Sequence, residues 1–134
     1  MKYALQAALL TIVTVFAVQP VAAGQALDLK DKVSLQATMQ RHIERNLVDG
    51  AYLHLNSSTG EIRELRVDDA HPMILRMGEF FVLCSSFLDA GGEHVNIDFY
   101  LAPRGHSYVV FAVEVENRDL LEGLMKTGKV KRAE

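Results

Sequence analysis

The chain holds one cysteine, no tryptophan, three prolines and only a small excess of acidic over basic side chains. A single cysteine, Cys84, cannot close an internal disulfide, so the fold must stand on its hydrophobic core. There is no His-Glu-x-x-His run, no His-x-His and no cysteine pair, which removes the commonest zinc ligand sets. The five histidines, His42, His54, His71, His94 and His106, are scattered, and no metal or cofactor is expected. Nor is there a glycine-rich phosphate loop. Gly91-Gly92 reads as a hairpin turn, while Gly123 and Gly128 belong to a helix and its end. Internal repeats and low-complexity segments are absent too. The formal net charge of −3 gives no general reason to bind nucleic acid or an anionic surface. The one local exception is the basic end, Lys126, Lys129, Lys131 and Arg132, which reads as cations complementing a helix carboxyl terminus.

What is present begins with the amino terminus. Lys2 precedes a run without charged side chains from residue 3 to 27. Its apolar centre, residues 7–18, has the length of a signal-peptide core and is short for a membrane span. Gln19-Pro20 breaks the helix, and Val21-Ala22-Ala23 places small residues where a signal peptidase reads. Residues 1–23 are therefore expected to be a cleavable signal peptide, with the protein exported to the periplasm or secreted. An uncleaved anchor is the alternative, and it would be the chain's only link to a membrane. No cysteine stands at the cleavage point, which disfavours a lipoprotein. Residues 24–134 then form one α+β domain, large enough for a core without staples. Without Lys2 the 14 basic residues become 13 against 17 acidic ones, a net charge of −4.

Hydrophobic periodicity outlines that domain. Leu35, Met39, Ile43 and Leu47 recur every four residues and predict an amphipathic helix over 33–48, capped by Asp31 or Ser34 and stopped at Gly50. From Ala51 the period falls to two. Strands are expected at 52–55, 62–67, 80–88, 95–101 and 109–115, with Asp68 to Pro72 as a connection and Gly78 as a bend or bulge. Asn117 caps a last short helix with Leu120, Leu121, Leu124 and Met125 on its apolar side. Short turns favour an antiparallel meander of about five strands, with one amphipathic helix packed on it. This order and size resemble cystatin-like and nuclear transport factor 2-like folds, and the PepSY-type exported domains. Thr59-Gly60-Glu61-Ile62-Arg63 and Asp98-Phe99-Tyr100 also resemble wording in small exported bacterial proteins. The Gln-x-Val-x-Gly run of the cystatin protease-binding loop does not occur.

Turn lengths set an expected register. A turn at 90–93 pairs Leu88 with His94, Ser86 with Asn96, Cys84 with Asp98 and Val82 with Tyr100. A turn pairing Leu101 with Ser107 then sets Tyr100 against Tyr108, Asp98 against Val110, Asn96 against Ala112 and His94 against Glu114. All of these share one face. The opposite face carries Phe81, Leu83, Phe87, Val95, Ile97, Phe99, Leu101, Val109, Phe111 and Val113, and packs on the first helix.

The first face is too apolar for open water. Val82, Cys84, Asn96, Asp98, Tyr100, Tyr108 and Val110 are thus the candidate binding surface. The occupant is a protein partner, a second copy of the chain in a homodimer, a small apolar ligand, or the chain's own last helix. Asp68, Asp69 and His71 form a second candidate contact loop. Catalysis is not expected. Cys84 beside Asp98 has its thiol pKa pushed the wrong way for a nucleophile, and His94 stands too far along the strand. Cys84 is read as a buried thiol or, failing that, an intermolecular handle. The expectation is a non-enzymatic exported binding domain. Two alternatives remain: a small enzyme with a helix–sheet pocket, and a structural subunit of an envelope complex. Amino-terminal sequencing of the exported protein should read Gly24 first; recovery of Met1 on the exported form would contradict cleavage.

Overall fold

The computed structural model describes residues 26–133, and the backbone alone at 69–72. The signal segment 1–23 lies outside the described residues. Among those described, no helix is long and apolar enough to cross a membrane.

The first helix, α1, is Leu29–Arg45. It begins four residues before the expected start because Asp28 is the cap: its side chain accepts from the Asp31 amide at 2.7 Å. It ends before the expected 48. Leu47–Val48 is instead a two-residue strand, β1, turning through Asp49-Gly50 onto β2, Ala51–Leu55. Both turn residues have positive φ, the geometry of a tight hairpin, so Gly50 serves a turn rather than a helix stop.

The long strand β3 spans Ile62–Met77. Its first part pairs with β2, and from Arg66 onward it pairs with β4, Phe80–Leu88. The expected connection at 68–72 lies within this strand. There the ladder shifts twice, between Val67 and Asp69 and between Asp69 and Met73. Asp69 keeps a partner in Ser86, while Asp68 and the stretch 70–72 supply the extra residues of a bulged strand instead of ending it. Gly78, at φ 62°, makes the turn into β4.

Strand β5, His94–Arg104, and β6, Ser107–Val115, complete the meander. The sheet runs β1 to β6 in chain order, all antiparallel. Helix α2, Arg118–Lys126, follows, and a two-residue strand β7, Lys131–Arg132, returns to pair with Leu75 and Arg76 of β3. The fold is therefore α+β, with seven strands among the described residues rather than five. The two additional strands are two residues each, too short to show a period. Only Lys126 of the basic end stands in the last turn of α2; Lys131 and Arg132 belong to β7.

The β4–β5 ladder has the expected register, with Leu88 opposite His94, Ser86 opposite Asn96, Cys84 opposite Asp98 and Val82 opposite Tyr100. The β5–β6 register is different. The turn is Gly105-His106, so Arg104 faces Ser107, Pro103 faces Tyr108 and Leu101 faces Val110. Pro103 does not end β5, because the β4–β5 ladder stops at Phe81 and Leu101 and a proline there has a strand on one side only. A bulge then leaves Phe111 unopposed. Beyond it Tyr100 faces Ala112 and Asp98 faces Glu114. The expected pairs of Tyr100 with Tyr108, Asp98 with Val110, Asn96 with Ala112 and His94 with Glu114 are thus corrected.

The odd shift turns one half of β6 over. Tyr108 and Val110 pack with the α1-side core of Leu35, Met39, Ile43, Leu83, Phe87, Ile97 and Phe99. Val109 and Phe111 leave it. A second, smaller core of Leu75, Val82, Tyr100, Leu121 and Val130 lies on the other face of the sheet, under α2. Phe99 is fully buried at the centre of the larger core and touches Phe87, Tyr52 and His42 edge-on or tilted. Phe99→Ala should cost about 3–5 kcal/mol, read as a lowered urea midpoint with an unchanged slope; a loss below about 1 kcal/mol would contradict this packing.

Candidate functional site

The face flagged by the sequence is the α2 side of the sheet. Val82 and Cys84 from β4, Asn96, Asp98 and Tyr100 from β5, and Ala112 and Glu114 from β6 come together there through the two ladders. Tyr108 and Val110 do not join them. Tyr108 points to the α1 side, stacks edge-on against Phe81 and donates its hydroxyl to Asp31 at 3.0 Å.

The centre of this face is not open. Leu121 of α2 and Val130 after it pack on Leu75, Val82 and Tyr100, while Leu124 and Cys84 sit partly buried at the margin. The amphipathic pattern of the last helix accounts for this: Leu121 and Leu124 lie three residues apart, on one face of the helix. Gly128 at φ 71° stops the helix and lets Lys129 and Val130 bond back to the Leu124 carbonyl.

Under the start of α2 lies a buried polar cluster. Asp98 is 1 % exposed. It stands between Cys84 on β4 and Glu114 on β6, with the Arg118 guanidinium 3.5 Å from its Oδ1. That distance makes an ion pair, yet Oδ1 has no aligned hydrogen bond, and neither does the buried Tyr100 hydroxyl. Asn117 turns its side chain to Glu114 at 3.0 Å instead of capping α2. Burial raises the Asp98 pKa above the ordinary carboxylate value. The Cys84 hydrogen bond and the Arg118 charge pull it down, and Glu114 adds to the rise. Burial, then the Asp98 charge, pushes the Cys84 thiol up to about 12. Tyr100 is pushed up to about 12 for the same two reasons, in the same order. A thiol held there is protonated at neutral pH and is a poor nucleophile.

Asp68, Ser86 and His94 form a separate exposed group. Ser86 Oγ lies 3.4 Å from Asp68 and 3.2 Å from His94 Nδ1, and the same Nδ1 lies 3.2 Å from Asp68. The residue types are those of a hydrolase triad, but the geometry is not. A relay needs the carboxylate on one ring nitrogen and the hydroxyl on the other. Of the second candidate loop, Asp68 is placed in this group, and the side chains of Asp69 and His71 lie outside the described set. Among the described residues no three His, Cys, Asp or Glu side chains converge as a metal site.

Three features differ from the sequence reading or sharpen it: residue order presents His42 as one of the scattered histidines, the helix–sheet groove as an alternative pocket without named walls, and Phe111 as core under α1. His42 of α1 lies half-buried, 3.5 Å from the Tyr52 hydroxyl and edge-on to Phe99, and burial lowers its pKa. A groove of about 200 Å³ runs between α1 and the sheet, lined by Met39, Ile43, Leu47, Val67 and Ser85, with Gln40 and Glu44 also on its wall. Finally, the β6 bulge re-aims Phe111, which is 53 % exposed and stacks on Phe80 at 5.7 Å and Tyr100 at 6.3 Å. A bulge depends on pairing with another strand, so residue order alone could not reveal this aromatic row.

No protein-family model, no curated protein and no solved structure matches this chain.

The buried carboxyl gives a signed pH dependence. Asp98 binds its proton more tightly folded than unfolded, so its contribution to stability is greatest below the ordinary carboxylate pKa. That contribution falls as pH rises through the raised value. His42 acts in the opposite sense, its neutral form being favoured by the fold. Asp98→Asn should remove the decline above pH 4 in a series of urea midpoints. A decline of equal steepness in the variant would show that Asp98 is not its source.

Proposed function

We propose that this chain is an exported, non-enzymatic domain that binds a protein partner through the aromatic rim of the α2-side face. The carrying observation is the row Tyr100, Phe111 and Phe80, with ring centroids 6.3 and 5.7 Å apart. Tyr100 roots the row in the small core, while Phe111 and Phe80 stand 53 % and 37 % exposed at its outer end. Adjacent exposed aromatics on a rigid strand and hairpin are the residue types that anchor protein interfaces. They present a large contact area that has already lost its conformational freedom, because each ring is braced by the next. The binding surface is therefore shifted outward from Val82, Cys84 and Asp98, which α2 covers. Asn96 stays exposed at the far end of the same face. Export, through the segment 1–23, is part of this reading and places the partner outside the cytoplasm.

A second reading has one observation in its favour. The groove between α1 and the sheet is apolar and lined by Met39, Ile43, Leu47 and Val67. At about 200 Å³ it fits a short aliphatic group rather than a drug-sized ligand. As an enzyme pocket it offers only Glu44 as a titratable wall residue. A small apolar ligand is the occupant this groove favours.

A photoreactive benzophenone side chain placed at position 111 in producing cells tests the first reading. Irradiation should give a discrete protein adduct from position 111 and none from position 29, an exposed site on α1. Equal labelling at both positions, or none at 111, would contradict it.

A further inference from the structure

We propose that the partner at this rim is a second copy of the chain, joined edge to edge along β6 in antiparallel, two-fold fashion. The inference rests on reading the domain as an interaction module, and it names the occupant. Strand β6 is last in the ladder, with β5 as its one strand neighbour among the described residues. Its outer edge therefore presents backbone donors and acceptors that a further strand can use.

The two ends of this sheet are treated differently. The opposite end closes with β1, only two residues long. Very short edge strands are a usual way to prevent edge pairing. β6 is nine residues long, and Tyr108 to Val113 carries no charge and no proline. The bulge at Phe111 is the one blunting feature in that stretch, and it turns an aromatic ring over the sheet face toward Phe80 of β4.

Charge decides the occupant and the orientation. Arg104, which ends β5 opposite Ser107, and His106 in the turn flank one end of β6, while Glu114 and Glu116 close the other. An antiparallel second copy brings Arg104 and His106 of each chain alongside Glu114 and Glu116 of the other, twice over. A parallel arrangement sets like charges together, which is unfavourable between neighbouring strands. Glu114 and Glu116 already meet Asn117 and Arg63, and neither is fully buried, so both can take a second contact at their exposed side. A two-fold axis makes this complementarity automatic for a second copy, because one strand supplies both halves of the match.

The oligomeric state of the protein, recovered from cells expressing the full chain, tests this by sedimentation equilibrium. The expected result is a reversible dimer. Arg104→Glu, at an exposed position, should raise its dissociation constant at least tenfold with an unchanged circular dichroism spectrum. Phe111→Cys supplies an independent readout, since same-residue cysteines near a two-fold axis oxidise to a covalent dimer. His106→Cys should not crosslink to itself, because two such positions stand roughly 30 Å apart in an antiparallel pair. Cys84, with its thiol held at about 12, does not compete. A monomer at every concentration overturns the inference, as does a dimer that crosslinks through position 106. If a monomer still gives a protein adduct from position 111, the interaction reading survives and the self-association falls. If that adduct is also absent, both fall.

Discussion

Strands β4 and β5 are apolar on both faces, and the rest of the molecule is arranged around covering them. Leu83, Phe87, Val95, Ile97 and Phe99 project to one side, Val82 and Tyr100 to the other. One amphipathic helix can close only one face of a sheet. α1 closes the first with Leu35, Met39 and Ile43. The second face leaves the chain a smaller problem, solved by nine residues of α2, a tight stop at Gly128 and a two-residue strand that clips the tail to β3. Full burial of a side chain such as Leu121 contributes about 2 kcal/mol, enough to hold a short helix that would not persist alone.

The second closure has a cost that the first lacks. Closing α2 over Asp98 takes a carboxyl out of water beside one guanidinium at 3.5 Å, and leaves Asp98 Oδ1 and the Tyr100 hydroxyl without hydrogen bonds. Each unsatisfied buried group of this kind costs about 1–3 kcal/mol. The α2 side is therefore the less tightly held half of the domain, while its rim carries the exposed aromatics. The two halves thus differ: the α1 core is satisfied, while the α2 side carries the buried polar cluster and, at its rim, the aromatic row of the proposed interaction.

Much of the fold was legible in residue order. The stripe Leu35, Met39, Ile43 has a helical period, the alternation from Val95 to Leu101 has a strand period, and the Ala90 to Gly92 turn set the whole β4–β5 register. Legibility ended where a local rule met a tertiary exception. Pro103 reads as a strand end, yet it lies past the last β4 pair and is tolerated in β5. That extension, with the bulge at Phe111, moved Tyr108 and Val110 to the other core and brought Phe111 outward. The run Asp68 to Pro72 reads as a loop for the same kind of reason, being a bulged part of a paired strand in which Asp69 still faces Ser86. The apolar character of the α2-side face was plain from Val82 and Tyr100. What covers it was not, because helix placement depends on a three-dimensional path through Asn117 rather than on any period.

Everything on the α2 side depends on the closure of that second face by Leu121 and Val130. Nuclear Overhauser contacts between the Leu121 methyls and those of Val82, together with the Tyr100 ring, measure it directly in solution. Strong contacts and Leu121 shifts displaced by the ring are expected. An absence of those contacts, with Leu121 at random-coil shifts, would contradict it and return Val82, Asp98 and Tyr100 to the open surface.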